Sequence, residues 1–233
     1  MKRISVTTLE KFRRFIDGVS SDDTEESLIE SLKGLFKGND KTDFGGAYHK
    51  IIEGEFENYA GNIFVTYDKT KQFVFNYAQA APALSYRRNH PLMVHEVDVR
   101  KIFETTYGSI QVTGRLDGLE GATVRDLKTR FKQMNDADYA DSFQWKFYLE
   151  MLGLDTFFYD VFEIKGFDAL PEKRPFIMPE VSIIAHEPIK CERYKTMSED
   201  VQSILNHFMD YIDNRQLSNL LKPAITDEPQ LIF

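Results

Sequence analysis

The stretch Gly114-Arg-Leu-Asp-Gly-Leu-Glu-Gly-Ala-Thr-Val-Arg-Asp-Leu-Lys-Thr129 decides how this chain is read. Strand-like runs, Ser109–Asp117 and Ala122–Thr129, flank Gly118-Leu-Glu-Gly121, a pattern that predicts a β-hairpin. A third run, from about Leu92 to Phe103, precedes them across Tyr107-Gly108, so three consecutive strands form a meander. The hairpin sets Asp117 and Asp126 on neighbouring strands near one end. Asp126 and Lys128 are two positions apart and share a face, whereas Leu127 between them turns to the other. Two carboxylates beside one ammonium suit a hard divalent cation and a phosphate.

Outward from the hairpin, helices and strands alternate. Ser20-Ser-Asp-Asp-Thr-Glu-Glu-Ser27 reads as a loop entering a helix, with Asp22 or Asp23 as N-cap and acids in its first turn. Leu28, Leu32 and Leu35 share a face of that helix, which runs to about Phe36. Tyr48, Ile51, Ile52 and Phe56 predict a second helix over about 43–57. Beyond the meander, Phe143, Phe147 and Leu149 to Leu152 predict a helix over about 138–152. Strands follow over 155–165 and from Val181 to Tyr194, then a last helix from Ser198 to about Gln216 and an irregular tail from Pro223. This order predicts an α/β fold with a mixed central β-sheet flanked by helices.

Composition narrows the function classes. With 233 residues the chain can bury a sizeable core, and 19 Phe and 11 Tyr supply it. A net charge of −8 rules out a global basic field, yet a groove that binds nucleic acid needs only a local basic lining. Cys191 is the only cysteine, so no disulfide within the chain, cysteine zinc site or iron–sulfur cluster is expected. The start, Met-Lys-Arg-Ile-Ser-Val-Thr-Thr, has no apolar signal region, and no run of about 18 apolar residues could span a bilayer. A cytoplasmic protein without membrane association is therefore expected.

The chemistry expected at the hairpin follows from its donors. Mg²⁺ takes hard oxygen ligands and keeps several waters. Asp117, Asp126 and the Leu127 carbonyl would leave positions for water and a phosphate oxygen. Such an ion acidifies a bound water and stabilises charge on phosphorus oxygens. Lys128 could orient that water, deprotonate it, or neutralise the developing charge. Alone, a D-x8-D-x-K pattern arises by chance and equally describes a solvated hairpin edge with an Asp–Lys pair.

Three further features carry a resemblance. Gly45-Gly-Ala-Tyr-His49 sets a histidine one helical turn after a glycine. Gly114 to Asp117 and Asp126-Leu-Lys-Thr129 match G-x-x-D and D-x-K-T. Gln144-Trp-Lys-Phe-Tyr148 matches Q-x-x-x-Y, with Gln144 and Tyr148 on one helical face. In this combination the chain resembles the PD-(D/E)XK nuclease superfamily and its RecB-like branch. The motifs span residues 45–148, and Ile4 to Phe12 is weakly similar to the opening helix of such domains. The resemblance implies a restriction-endonuclease-like core over about 90–195, within a single domain over 1–233 that has N-terminal helices in 1–60. It implies that His49 joins Asp117 and Asp126 in holding Mg²⁺ or Mn²⁺. Gln144 and Tyr148 would then look into the site and position Lys128, the water or the substrate backbone. The implied activity is metal-dependent hydrolysis of DNA, as an exonuclease or on single strands and duplex ends. Compact nucleases of this branch are frequent in phages and mobile elements and serve repair and recombination. No P-loop motif is present, so a helicase or recombination partner would be a separate chain. Some relatives carry an iron–sulfur cluster, which this chain lacks the cysteines to build.

Around the site, Arg87, Arg88 and Arg130 are candidate phosphate contacts, in two basic runs whose plainer reading is a solvated face. Glu53 and Glu96 could add carboxylates, though exposed positions suit them equally. His90, His95, His186 and His207 show no ligand spacing. Two other readings stand beside DNA cleavage: a nuclease acting on RNA or branched DNA, and a catalytically silent nuclease fold that only binds nucleic acid.

Overall fold

The computed structural model describes residues 1–35, 38–132 and 135–226. β1 (Lys2–Ser5) runs directly into α1 (Val6–Asp17). Ser5 ends the strand and caps the helix, its hydroxyl accepting the Thr8 N–H that a helix start would otherwise leave open. α2 (Glu25–Leu32) is capped by Thr24 rather than Asp22 or Asp23, and its expected end at Phe36 lies outside the described residues. α3 (Asp40–Glu53) begins at an Asn39 cap and stops at Gly54, which adopts φ 87°. Phe44, Tyr48, Ile51 and Ile52 are buried along it.

Residues 57–89 form elements that the hydropathy pattern did not reveal. They are β2 (Glu57–Tyr59), β3 (Asn62–Tyr67), β4 (Lys71–Asn76) and α4 (Tyr77–Asn89). The expected meander follows as β5 (Val94–Thr105), β6 (Gly108–Glu120) and β7 (Thr123–Arg130). Its second turn is tighter than expected, since only Gly121 and Ala122 separate the strands. The helix expected over 138–152 is two, α5 (Asp136–Ala140) and α6 (Gln144–Leu152), with Ser142 and Phe143 between them. β8 (Thr156–Lys165) is followed by the short β9 (Phe176–Ile177). The single strand expected from Val181 is divided at Pro188 into β10 (Ser182–Ala185) and β11 (Ile189–Glu192). α7 (Met197–Asn214) starts at Thr196, and Ser198, the expected cap, instead donates its hydroxyl to Glu150. β12 (Lys222–Pro223) closes the described chain against β1.

Eight strands make a mixed sheet, and β2, β3, β4 and β9 make a second, smaller one. Helices cover both faces of the larger sheet. One apolar core lies under α1, α6 and α7, with Val112, Leu116, Phe147 and Phe157 at its centre. The other lies under α3 and α4, where Leu127, Phe162 and Ile164 of the large sheet meet Phe73 and Phe75 of the small one. Fully burying one such side chain contributes about 1.5–3 kcal/mol, so the rings of both cores hold the layers together. Asp126 and Leu127 thus belong to opposite sides of β7, as strand alternation requires.

The feature that positions the site is a fork at β6. One edge of β6 pairs antiparallel with β5, from Val94–Leu119 to Thr105–Gly108. The other edge is shared. β1 pairs with it in parallel over Ile110–Thr113, and β7 pairs with it antiparallel over Gly118–Glu120. Between these ladders, residues 114–117 have no strand partner on that edge among the described residues. β7 meanwhile stays paired in parallel with β8 over its whole length.

Candidate active site

Backbone groups left by the parted strands are satisfied by side chains, and those side chains form the site. The β6–β7 ladder ends at Gly118–Arg125, so the next opposed positions are Asp117 and Asp126. Asp117 Oδ2 accepts the Leu127 N–H at 2.8 Å, replacing the strand partner that this amide lacks on the β6 side. Tyr148 donates its hydroxyl to the Arg115 carbonyl at 2.9 Å inside the same gap. α6 is brought over the fork by α1: Glu10 Oε2 accepts the Phe143 N–H at 2.7 Å, just ahead of Gln144. Gln144 Nε2 then donates to Asp126 Oδ1 at 2.9 Å.

Glycines set the spacing of these layers. A Cβ on Gly45 would overlap Thr129 Oγ1, so the glycine is what lets α3, and with it His49, lie against β7. A Cβ on Gly114 would overlap the Tyr148 ring, which is buried and stacked over Phe157. Two of the motif glycines are thus required by close approach rather than by an unusual backbone angle.

Electrostatics bind the group into one unit. Asp126 is 3% exposed, and its Oδ2 is paired with the Lys128 ammonium. Burial pushes the Asp126 carboxyl up to about 6 against the pull of Lys128. Burial likewise raises Asp117, opposed by Lys128 and by the Leu127 N–H. For Lys128, burial disfavours the charge, but Asp126 and Asp117 outweigh it and hold the ammonium above its usual range. The ammonium also sits 5.8 Å from the centre of the Tyr159 ring. Burial, reinforced by Lys128, lowers the His49 imidazole to about 4, so it is neutral near pH 7. His49 Nε2 is buried without a hydrogen-bond partner.

Each residue expected at the site has a defined place. Asp117, Asp126, Lys128, Gln144 and Tyr148 converge at the fork, and His49 lies within their electrostatic reach. Tyr148, however, holds the Arg115 carbonyl rather than Lys128. Glu53 and Glu96 also act on the His49 and Asp117 charges. Glu53 pairs with Lys50, and Glu96, at φ 54°, pairs with Arg115. The proposed phosphate contacts fare unevenly. Arg88 is exposed, whereas Arg87 turns one nitrogen onto the Ile52 carbonyl at 3.0 Å, and Arg130 pairs with Asp138. Arg125 is held inside the fold by Asp160 and Glu120. Glu10, Arg115 and Tyr159 are the participants that the motifs did not suggest.

The donors suit a divalent ion chemically: two carboxylates and a neutral imidazole whose buried nitrogen has no partner. Yet among the described residues no three His, Cys, Asp or Glu side chains are gathered tightly enough to hold a metal as they stand. Asp126 faces Lys128, and Asp117 is engaged with Leu127. No family model matches the chain, and no curated protein matches it. Among solved structures it is similar to the phage-related exonuclease from Haemophilus somnus 129PT, at 13% identity and a TM-score of 0.46, over 92% of this chain and 96% of the other. It is also similar to the protein SSO0001, at 11% identity and a TM-score of 0.46, over 99% of this chain and 80% of that one. No helix among the described residues is long and apolar enough to cross a membrane.

Proposed function

We propose that this chain is a metal-dependent nuclease of the RecB-like type that hydrolyses phosphodiester bonds in DNA, acting on single strands or duplex ends. The observation that carries the reading is the bond from Gln144 to Asp126. It ties the helical Q-x-x-x-Y motif to the D-x-K motif beside residues 114–117, where β6 has no strand partner on one of its edges among the described residues, with Lys128 alongside.

Mg²⁺ or Mn²⁺, held by His49, Asp117, Asp126 and the Leu127 carbonyl, would supply an acidified water and stabilise charge on the phosphate. The chain's own residues do the rest. Lys128 would neutralise charge that develops on the phosphoryl oxygens or orient the attacking water. Gln144 fixes the orientation of the Asp126 carboxylate. Tyr148, through the Arg115 carbonyl, holds the strand that carries Asp117. A neutral His49 offers a lone pair where an imidazolium would repel an ion. Arg88, exposed on α4, would be available to meet phosphates.

The test is a nuclease assay with Mn²⁺ or Mg²⁺ on single-stranded, blunt-ended and closed circular DNA. Wild type is expected to degrade linear substrates, and Lys128→Ala and Asp117→Asn to lose at least about a hundredfold in rate, in line with loss of one electrostatic group. Unchanged activity in both variants would refute the assignment. One observation favours a second reading, a nuclease fold that only binds nucleic acid: the ligands are not gathered into a ready cage. Binding of DNA with no cleavage and no calorimetric metal signal would select it.

A further inference from the structure

Glu96 is a carboxylate near the fork with an unusual backbone. Among the described residues, five non-glycine residues have positive φ, and four of them, Ala60, Asp68, Lys69 and Gln216, lie in turns. Glu96, at φ 54°, lies inside β5. An L side chain is disfavoured in this conformation, whereas glycine adopts it freely. A residue kept there within a strand is held by its surroundings, and such residues gather at functional sites.

The β5–β6 ladder shows what the conformation does. His95 pairs with Gly118 and Val97 with Leu116, and the two positions between them, Glu96 and Asp117, form no pair. Val97 and Leu116 belong to the core under α1, α6 and α7. Gly118, one pair further on, lies against Met93 of the other core, where a Cβ would overlap the Met93 sulfur. Residues two apart on a regular strand share a face, so the ribbon turns over at Glu96 and Asp117. Glu96 is thereby set directly across from Asp117, at the end of the stretch that β1 and β7 leave open.

The Glu96 carboxylate acts electrostatically on two of the proposed ion ligands, Asp117 and His49. His49 Nε2 is the buried ring nitrogen without a hydrogen-bond partner. Glu96 itself is 42% exposed and is held by Arg115, 58% exposed, at 3.2 Å. An exposed ion pair contributes little, so this carboxylate can leave at small cost. Arg115 keeps Asp98 when it does, through bonds of 2.7 and 3.1 Å. Glu53, which acts on the same two ligands, is by contrast buried and held by Lys50. Charge balance favours a third acid. A divalent ion beside the Lys128 ammonium sets three positive charges against the two of Asp117 and Asp126, and Glu96 supplies the missing negative one.

We infer that Glu96 is a third carboxylate ligand of the divalent ion at the fork, passing from Arg115 to the ion when it binds. The inference rests on the nuclease reading and adds to its site a residue that lies outside the motifs.

The test measures Mn²⁺ binding to the full chain, stripped with EDTA and dialysed, by calorimetry and thermal unfolding in the absence of DNA. Wild type is expected to bind and Asp117→Asn to lose binding. Glu96→Gln should weaken binding at least about tenfold, the lower end of what loss of even a supporting partner costs a metal site. Glu96→Gly should weaken it as much. Without metal, however, Glu96→Gly should unfold at the same or a higher temperature than wild type, because glycine accepts the positive φ. That variant separates the carboxylate from the backbone and shows that the chain still folds. Asp98→Asn removes the neighbouring acid on the same arginine and should leave Mn²⁺ binding unchanged. If wild type binds, Asp117→Asn does not, and either Glu96 variant binds as wild type does, the inference is overturned while the metal reading of the fork stands. Equal weakening in Glu96→Gln and Asp98→Asn also overturns it, since the effect is then one of general charge. Absence of Mn²⁺ binding in wild type overturns both.

Discussion

Replacing Gly45 with alanine sets two effects of opposite sign against each other. In a helix interior, alanine is favoured over glycine by about 1 kcal/mol, and Gly45 lies within α3 at an ordinary helical angle. Against that, the new Cβ would overlap Thr129 Oγ1, and Thr129 is a β-branched residue on β7 with little freedom to turn away. Overpacking of this kind costs about 1–3 kcal/mol. Gly45→Ala should therefore be neutral to destabilising by about 2 kcal/mol. In a Thr129→Ala background the obstruction is gone, and the same substitution should stabilise by about 1 kcal/mol. The coupling between the two positions is thus about 1–3 kcal/mol. Urea unfolding of the four proteins, with the slope m checked for constancy, measures it. The proposed nuclease activity adds a second readout: in Gly45→Ala it should fall further than the lost stability explains and recover in the double variant, because α3 carries His49 and β7 carries Asp126. If Gly45→Ala stabilises equally in both backgrounds, the close approach of α3 to β7 is not what the glycine provides.

Other expectations follow from single contacts. Gln144→Ala leaves Asp126 Oδ1 buried without its donor and should cost about 1–3 kcal/mol in thermal or urea unfolding, together with most of the activity. Tyr148→Phe removes the bond to the Arg115 carbonyl and should cost about 0.5–1.5 kcal/mol, with activity falling at unchanged DNA affinity. Glu150 gives a pH dependence: burial disfavours its charge, but Ser198, Lys101 and Arg193 more than compensate and hold the carboxyl near 2 instead of 4.5. The folded value is depressed, so this stabilisation is complete above about pH 4.5 and is lost as the pH falls towards 2. The shift sets a ceiling of about 3 kcal/mol, reduced to about 1–2 by solvent screening of the exposed partners. Glu150→Gln should lower the melting temperature near neutrality and flatten its decline between pH 4.5 and 2. Mn²⁺ should raise the melting temperature of wild type in proportion to the logarithm of its concentration once saturating, and EDTA should reverse this. No Mn²⁺ effect on wild type would count against a metal at the fork.

The parts of the site that could be read in the sequence are those that depend on short separations. Asp126 and Lys128 share a face because they are two apart on β7, and Gln144 and Tyr148 do so because they are four apart on α6. The meander was visible because its strands are long and joined by Gly108 and Gly121. Residues 57–89 were not visible for the opposite reason. β2 has only three residues, and α4 contains Pro82 and lacks a clear apolar stripe; its one local signal was the capping box of Asn76 and Gln79. The fork itself depends on residues 2–5 pairing with 110–113, a contact that no local pattern encodes. Nor does spacing show that Arg87 turns back onto the Ile52 carbonyl, or that Glu10 holds the entrance of α6.

Within an uninterrupted sheet each interior strand is closed on both sides by other strands, and those hydrogen bonds can do nothing but hold. At residues 114–117 of β6 that closure has been handed to an aspartate and a tyrosine, groups that can also bind, orient and carry charge. The seam works like a dropped stitch that leaves the surrounding fabric intact. The chemistry there can be altered one side chain at a time while β5, β8 and the two cores keep the shape of the molecule.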